Sequence, residues 1–291
     1  MDFSGRHPSQ DDFLNEEATM SNSINTNVGA LLAQSSLRTA NTKLDRASKL
    51  VETGYRVADA TDDASTFSVA QGIRGNLKAF GAIQQSLANG ASLGNVTQTA
   101  LTEISDLVGN MQAKITQLAD GSISANQRAI YTADLNAMTT QINTFITQAN
   151  YNGVNLLSAG SAARTFISNT NATTLTLSSQ SGVRAAFTTF SASSVASASQ
   201  ATLALTSLNT FAQVVNTALS NNASQTRTLT MQNEFIAQQV DAYTTALGAQ
   251  IDSDIGKAGA EVQARQVQQQ LSVQSLSLAN QQPTAILGIV R

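Results

Sequence analysis

The chain of 291 residues contains no cysteine and no tryptophan, and it has only two prolines and one histidine. Without cysteine it cannot form a disulfide framework or a zinc site of the cysteine type, and it has no thiol nucleophile. Aromatic residues make up 5% of the chain, which is little material for the aromatic-lined pocket of a compact enzyme. These shortages disfavour an enzyme and predict that the protein has no catalytic residue, cofactor or metal ion.

Charge is also scarce. Charged residues make up 12% of the chain, against about 25% in an average globular protein, and serine, threonine, asparagine and glutamine take their place. The net charge of −3 offers no basic surface to nucleic acid or to an anionic membrane. No stretch approaches the roughly 20 consecutive apolar residues that span a bilayer. We therefore expect no nucleic-acid partner and no membrane partner.

The first 19 residues are polar and acidic, with Asp11, Asp12, Glu16 and Glu17 among them. They lack the basic and apolar regions of a secretory signal peptide. Residues 15–18 can be encoded by a purine-rich sequence typical of a bacterial ribosome-binding site, just ahead of Met20. We therefore expect residues 1–19 to be either a leader that the native protein lacks, with translation starting at Met20, or a disordered tail.

Helical periodicity dominates the first half of the chain. From Ala30 to Val51, apolar residues recur at alternating spacings of three and four, which is typical of a coiled-coil seam, although alanine fills many positions. Gly54 is expected to end this helix, and residues 61–63 offer side chains that can cap the next one. The clearest heptad pattern is formed by Leu101, Ile104, Val108, Met111, Ile115 and Leu118.

Further helices and a small β region follow. The heptad helix is expected to end at Asp120–Gly121, and a third helix to begin within residues 122–126. Alternation of apolar and polar residues predicts a hairpin within residues 158–199, with strands at Thr174–Leu177 and Val183–Phe190. Helical spacing then returns, and the last helix carries a seam of Ala264, Val267, Leu271 and Leu278.

One short motif is typical of hydrolases. Gly90–Gly94 matches the G-x-S-x-G pattern that places a nucleophilic serine, here Ser92, on a strand-to-helix turn. No strand is predicted before it, and the only histidine, His7, lies in the first 19 residues. We therefore interpret Ser92 as a residue inside a helix.

Four segments resemble the signature segments of bacterial flagellins, in the order in which that family has them. They are Ile24–Asn27, Ala58–Ala64, Asn150–Leu157 and Leu278–Arg291. The resemblance covers residues 20–157 and 200–291 and leaves out the centre, where flagellins vary most. The chain is therefore similar to a short flagellin with a small central insert.

This resemblance implies a mainly α fold, namely a long antiparallel helical coiled-coil rod built from both chain ends, with a small β-hairpin region inserted in the middle. In flagellins the two terminal helices are disordered in the monomer and pair inside the filament. The implied domains are a terminal coiled-coil domain of residues 20–57 and 255–291, a helical rod domain of residues 58–157 and 200–254, and a β-hairpin insert of residues 158–199.

The resemblance also implies a function. The chain would be a structural subunit of the bacterial flagellar filament, which serves swimming motility, and it would reach the outside of the cell without a cleavable signal peptide. Its partners would be other copies of itself, an export chaperone, a filament cap and hook-associated proteins. The alternative is a hook-filament junction protein, which shares the terminal pattern but forms a short ring.

The thin seams near both chain ends indicate which residues would carry assembly, because a lone molecule would leave their apolar side chains in water. Ordering on contact with neighbouring copies, through an interface that does not close, gives a helical polymer. The residues that we expect to carry self-assembly are Leu31, Leu37, Leu44, Val51, Val267, Leu271, Leu278, Ile286 and Leu287.

One segment departs from the family pattern. In many flagellins the helix that corresponds to residues 100–121 presents an arginine and a glutamate to the vertebrate innate-immune flagellin receptor. Asn110 and Ala113 occupy those two positions here, so the charge-assisted contacts of that pair cannot form. We expect this chain to escape the receptor.

Overall fold

The computed structural model describes the backbone of residues 26–289 and the side chains of residues 26–281. Within this range the chain is mainly α-helical, as predicted, with one small antiparallel sheet in the middle of the sequence. The predicted leader, residues 1–19, lies outside the described residues. The elements are α1 (Val28–Thr53), α2 (Ala64–Ala119), α3 (Ala125–Gln148), β1 (Arg164–Ile167), β2 (Thr174–Leu177), α4 (Ser181–Ser191), α5 (Ala198–Ile251) and α6 (Ile255–Ile289).

Local capping explains where several helices begin and end. The Asn27 side chain accepts a hydrogen bond of 2.9 Å from the Ala30 N–H at the start of α1. Gly54 ends α1 in the left-handed conformation, at φ 72°, which costs glycine little. Ser124 forms a reciprocal capping box with the residue three positions later at the start of α3. The predicted breaks after Gly54 and at Asp120–Gly121 are therefore confirmed.

The contacts divide the chain into two units. Among the described residues, one unit consists of 26–72 and 246–289, and the other of 73–245. In the first unit α1 packs against α6, and Val57, Ala70 and Ile251 form a small buried core. The domain limits predicted at 57/58 and 254/255 lie at the loops of this unit and remain predictions.

The second unit is built on the pairing of α2 with α5. Buried residues follow heptad spacing along Phe80–Leu118 of α2 and along Ala201–Ala218 of α5. None of the six residues in the predicted heptad is more than 4% exposed. Helices α3 and α4 contribute to the same core, and the rings of Phe187 and Phe190 lie 5.8 and 6.4 Å from that of Phe211. This unit therefore buries its own seam.

The β region differs from its prediction. β1 pairs with β2 as an antiparallel hairpin, whereas residues 183–190, predicted as a strand, lie in α4. Val183, Phe187 and Phe190 are buried, and their spacings of four and three place them on one helix face. The predicted pairing of Thr174–Leu177 with this segment is therefore wrong, because so short an alternation fits either period.

Threonines on the helix surfaces bond to their own helix. On α5 the hydroxyls of Thr202, Thr206 and Thr210 donate to carbonyl oxygens four residues earlier, at 3.1, 3.3 and 3.1 Å. Thr99 and Thr116 do the same on α2. Such threonines satisfy their donors without a charge or a side-chain partner. Much of the helix exterior is therefore polar but uncharged.

Candidate assembly surface in the terminal helices

Helix α1 faces α6 with the seam predicted from the sequence. Ala33, Ala40 and Ala47 are buried, and Leu37 and Leu44 are half-buried between them. Alanine allows two helix backbones to approach closely, but each alanine removes little apolar area from water. The α1 side of the pair is therefore closely packed and only weakly apolar.

The inner face of α6, which meets α1, is more polar still. Gln269 Nε2 donates to Asn41 Oδ1 at 2.8 Å, and Asn27 Nδ2 donates to the Ala279 carbonyl oxygen at 2.8 Å. These two contacts fix which side of α6 is turned toward α1. The residues of this inner seam are buried or half-buried and consist of Ala258, Val262, Arg265, Gln269, Ser272, Leu276 and Ala279.

The seam predicted for α6 is a different one, and we call it the outer seam: Ala264, Val267, Leu271 and Leu278. Its three large residues, Val267, Leu271 and Leu278, are 55%, 59% and 65% exposed. Residues two apart, such as 262 and 264, are separated by about 200° around a helix of 3.6 residues per turn. The two seams therefore lie on nearly opposite faces, and the more apolar one stays exposed in the chain as described.

The nine residues predicted to carry assembly fall into three groups. Leu37 and Leu44 lie in the seam between α1 and α6. Ile286 and Leu287 belong to α6, but their side chains are outside the described part of the chain. The remaining five are exposed apolar side chains, namely Leu31, Val51, Val267, Leu271 and Leu278.

The polar members of the inner seam were missed by the sequence analysis. Arg265, Gln269 and Ser272 escaped notice because seam positions were selected by their apolar character. The available signal was spacing, since these residues continue the three-and-four pattern between Val262 and Leu276.

A cluster of charged side chains ties the end of α1 to the loop that follows it. Lys49 Nζ lies 2.6 Å from Asp59 Oδ2 and 2.9 Å from Asp62 Oδ2. The hydrogen bonds from Lys49 lower the pKa of both carboxyl groups, and the same bonds raise the pKa of the Lys49 ammonium group. Asp62 Oδ2 also accepts a hydrogen bond from the Ala58 N–H at 3.0 Å. The cluster therefore holds the backbone of this loop.

The loop after α1 is bonded directly to the end of α5 and to the loop before α6. The Arg56 N–H donates to the Ile251 carbonyl oxygen at 2.6 Å, and the Ser253 N–H donates to that of Gly54 at 2.9 Å. The Arg56 guanidinium donates to the carbonyl oxygen of Gln250. One end of the α1/α6 pair is therefore anchored by backbone bonds that do not depend on the seams.

Two other predicted positions lie on α2. Asn110 and Ala113 are both exposed there. Ser92 lies inside the same helix, and its hydroxyl donates to the Ala88 carbonyl oxygen at 2.9 Å, so it is an ordinary helical serine. In the part of the chain that the structure describes, no three histidine, cysteine, aspartate or glutamate side chains are grouped to hold a metal ion. Nor does any helix of that part combine the length and the apolar character needed to cross a membrane.

Comparisons with known proteins agree with this architecture. Residues 24–162 match the family described as the bacterial flagellin N-terminal helical region. A flagellin of Brucella melitensis is 30% identical over 286 residues, covering 92% of this chain and 99% of the relative. Flagellin FljO of Caulobacter vibrioides is 28% identical over 270 residues, covering 93% and 99%. A solved structure described as a flagellar hook-associated protein of Vibrio parahaemolyticus has a similar fold, with a TM-score of 0.55 and 14% identity, and covers 66% of this chain and 100% of its own. The identity and coverage of the Brucella relative show that this chain belongs to the bacterial flagellin family.

Proposed function

We propose that this chain, a structural subunit of the flagellar filament, self-assembles through the exposed faces of α1 and α6, and that these helices become ordered when neighbouring copies cover them. The observation that carries the proposal is the presence of two seams on opposite faces of α6. A helix with two seams requires a partner on each side, and α1 covers only the inner one. A second copy of the chain is the partner that a polymer supplies.

The energetics favour an intermolecular partner. Full burial of a leucine or valine side chain contributes about 1.5–3 kcal/mol, and the outer seam offers Val267, Leu271 and Leu278 for such burial. The inner seam offers mostly alanine and polar groups. Neighbouring copies would therefore provide much of the free energy that orders the terminal helices. If the contact is heterologous and its rotation does not close, the product is a helical polymer.

The proposed function also implies where the subunit acts and which other proteins bind it. The filament would lie outside the cell, serve swimming motility and receive subunits exported without a cleavable signal peptide. An export chaperone, a filament cap and hook-associated proteins would bind the subunit. These features rest on membership of the flagellin family.

The test is seeded polymerisation of the purified chain, followed by electron microscopy. Leu271→Asp or Leu278→Asp should abolish long filaments, because each places an unpaired charge in the buried face of the polymer. The matched control is Gln270→Asp, which adds the same charge at an exposed position outside the outer seam. Circular dichroism should show that all three variants keep their helices in the 73–245 unit.

Two results would contradict the proposal. Filaments of normal length from Leu271→Asp would show that the outer seam is not an interface. Loss of the whole helical signal in that variant would show that the terminal helices and the 73–245 unit do not fold separately. Closed rings from the unaltered chain would instead favour the junction protein.

A second proposal concerns Asn110 and Ala113. Because both side chains are exposed and neither carries a charge, the purified monomer should produce no signal in cells that express the vertebrate flagellin receptor. The double variant Asn110→Arg with Ala113→Glu should gain signalling. Strong signalling by the unaltered monomer would contradict the proposal.

A further inference from the structure

The heptad pattern that joins α2 to α5 does not by itself fix how the two helices align. They run antiparallel, since Gln112 Nε2 donates to Asn209 Oδ1 at 2.9 Å, and Asn222 Nδ2 donates to the Gly94 carbonyl oxygen at 2.8 Å. The buried pattern of α2 repeats every seven residues along Phe80–Leu118, and that of α5 does so along Ala201–Ala218. A slide of seven residues would therefore bring apolar side chains against apolar side chains again.

One layer of this seam is polar and buried. Asn222 is fully buried, and its Nδ2 also donates to Gln98 Oε1 at 2.9 Å. Thr97 and Thr226, which lie beside it, are buried as well. Among the described residues, Asn222 Oδ1 and Thr226 Oγ1 have no hydrogen-bond partner. Burying polar atoms in this way lowers stability relative to an apolar layer, so stability alone does not account for the layer.

Gly94 makes the layer specific to one alignment. A Cβ atom added to Gly94 would overlap the Thr226 hydroxyl oxygen, so a side chain at this position requires Thr226 to move. A slide of seven residues in either direction would bring Leu87 or Leu101 to the place of Gly94. It would also separate Gln98 from the Asn222 amide. The slipped alignments therefore combine a steric clash with the loss of a buried hydrogen bond.

We propose that Gly94, Gln98, Asn222 and Thr226 form a register key, which selects one alignment of α2 and α5 from the heptad-spaced alternatives and gives up some stability in doing so. A single buried polar residue sets register in the same way in coiled coils. A slide of seven residues moves one helix surface by about 10 Å. Copies in a regular polymer need identical surfaces, so the register key adds a requirement that is separate from the outer seam.

Disulfide trapping in the monomer tests the register key, because the chain has no cysteine of its own. Gln112→Cys with Asn209→Cys reports the observed alignment. Gln112→Cys with Asn216→Cys, or with Thr202→Cys, reports a slide of seven residues in either direction. In the observed alignment these last two positions are about 10 Å from Asn209 along the helix, too far for a disulfide to Cys at position 112. Peptide mass mapping identifies the bonds.

The decisive variant removes the register key by Gly94→Ala, Asn222→Leu and Thr226→Ala. With the key intact, we expect only the 112/209 disulfide. Without the register key, the yield of the 112/216 or the 112/202 disulfide should increase about tenfold or more. The reason is that the penalty of an unpaired buried amide no longer opposes the slide. The urea midpoint should stay the same or rise. If this triple variant loses its helical signal, the same disulfide assay is made with Asn222→Ala in place of the triple change, and the same increase is expected.

Leu208→Ala is the matched control. It truncates a fully buried side chain in the same α5 seam and leaves the register key unaltered, so it should lower the urea midpoint but keep the 112/209 disulfide alone. Slipped disulfides in this control would show that any weakening releases the register. If the triple variant and Asn222→Ala both form only the 112/209 disulfide, the segments that connect α2 to α5 fix the alignment. Either result would overturn the proposal.

Discussion

The α1/α6 pair and the α2/α5 pair use the same heptad spacing in opposite ways. Between α2 and α5, large apolar side chains such as Leu101, Ile104 and Phe211 are fully buried. Between α1 and α6, alanine and polar residues fill most of the inner positions, and Leu271 and Leu278 are exposed. Spacing alone therefore reveals that a helix has a seam, whereas the burial of the large side chains reveals whether its partner belongs to the same molecule.

The largest effect should come from disrupting the α2/α5 pair, whose seam is buried within one molecule. Phe211→Ala removes a fully buried ring that contacts two other rings, and it should lower the free energy of unfolding by about 3–5 kcal/mol. Urea denaturation followed by circular dichroism measures the loss. Phe235→Ala, at a half-exposed position of the same helix, is the control. Equal losses in the two variants would contradict the division between buried and exposed seams.

A smaller effect should come from making the inner seam of the α1/α6 pair as apolar as the seam of the α2/α5 pair. The double variant Asn41→Leu with Gln269→Leu replaces a hydrogen-bonded polar pair of the α1/α6 contact by apolar side chains, and it should stabilise this helix pair in the monomer by about 1 kcal/mol. Hydrogen exchange of the α1 amides reports it as slower opening. Gln270→Leu, at an exposed position outside the inner seam, should leave exchange unchanged. Equal slowing of hydrogen exchange in the α1 amides of both variants would contradict the distinction between the inner seam and the exposed face of α6.

The outer seam should matter little to the monomer. Leu271→Ala changes an exposed side chain, so the free energy of unfolding should change by less than about 0.5 kcal/mol. The concentration needed for polymerisation should nevertheless rise roughly tenfold, because the polymer loses buried apolar area. Sedimentation of the polymer at a series of concentrations measures this value, with Gln270→Ala as the control. A large loss of monomer stability without a change in polymerisation would show that Leu271 packs within the monomer and not between copies.

The smallest effect should come from pH. Because the pKa values of Asp59 and Asp62 are lowered in the folded chain, their contribution is present above the ordinary carboxyl pKa of about 4 and is lost as the pH falls through the lowered values. The raised pKa of Lys49 means that its contribution is lost only as the pH rises above about 10.5.

Thermal unfolding of the unaltered chain and of Asp62→Asn checks this. The two midpoints should differ at pH 7 and converge as the pH falls through the lowered pKa of Asp62, because the carboxyl group is then protonated. Asp45→Asn, which changes an exposed carboxylate of α1, should leave no comparable gap at pH 7. A gap that persists in acid would mean that Asp62 acts through its shape and not through its charge.

Local chemistry made the helix ends predictable from the sequence. Gly54 and Asp120–Gly121 terminate helices because of what these residues can do by themselves, without any distant partner. The strand partner of Thr174–Leu177 was not predictable in this way, because the choice between Arg164–Ile167 and residues 183–190 depends on which apolar side chains the helical core accepts. Pairing is decided by tertiary contacts, which a short alternation does not encode.

The two faces of α6 show the same limit in the candidate assembly surface. The exposed seam was predictable because Val267, Leu271 and Leu278 are apolar and regularly spaced. The inner seam was not predictable from hydropathy, because Gln269 enters it as the hydrogen-bond partner of Asn41 in α1. An exposed seam can be identified from composition, but its intramolecular counterpart depends on the other helix.

The threonines that bond to their own helices have a consequence for salinity. Dissolved salt screens charges, over about 30 Å at 0.01 M and about 8 Å near 0.15 M ionic strength. Thr202, Thr206 and Thr210 present methyl groups and internally bonded hydroxyls to the water, and neither responds to screening. An uncharged helix surface of this kind therefore does not change its interactions through charge screening when the ionic strength of its surroundings changes.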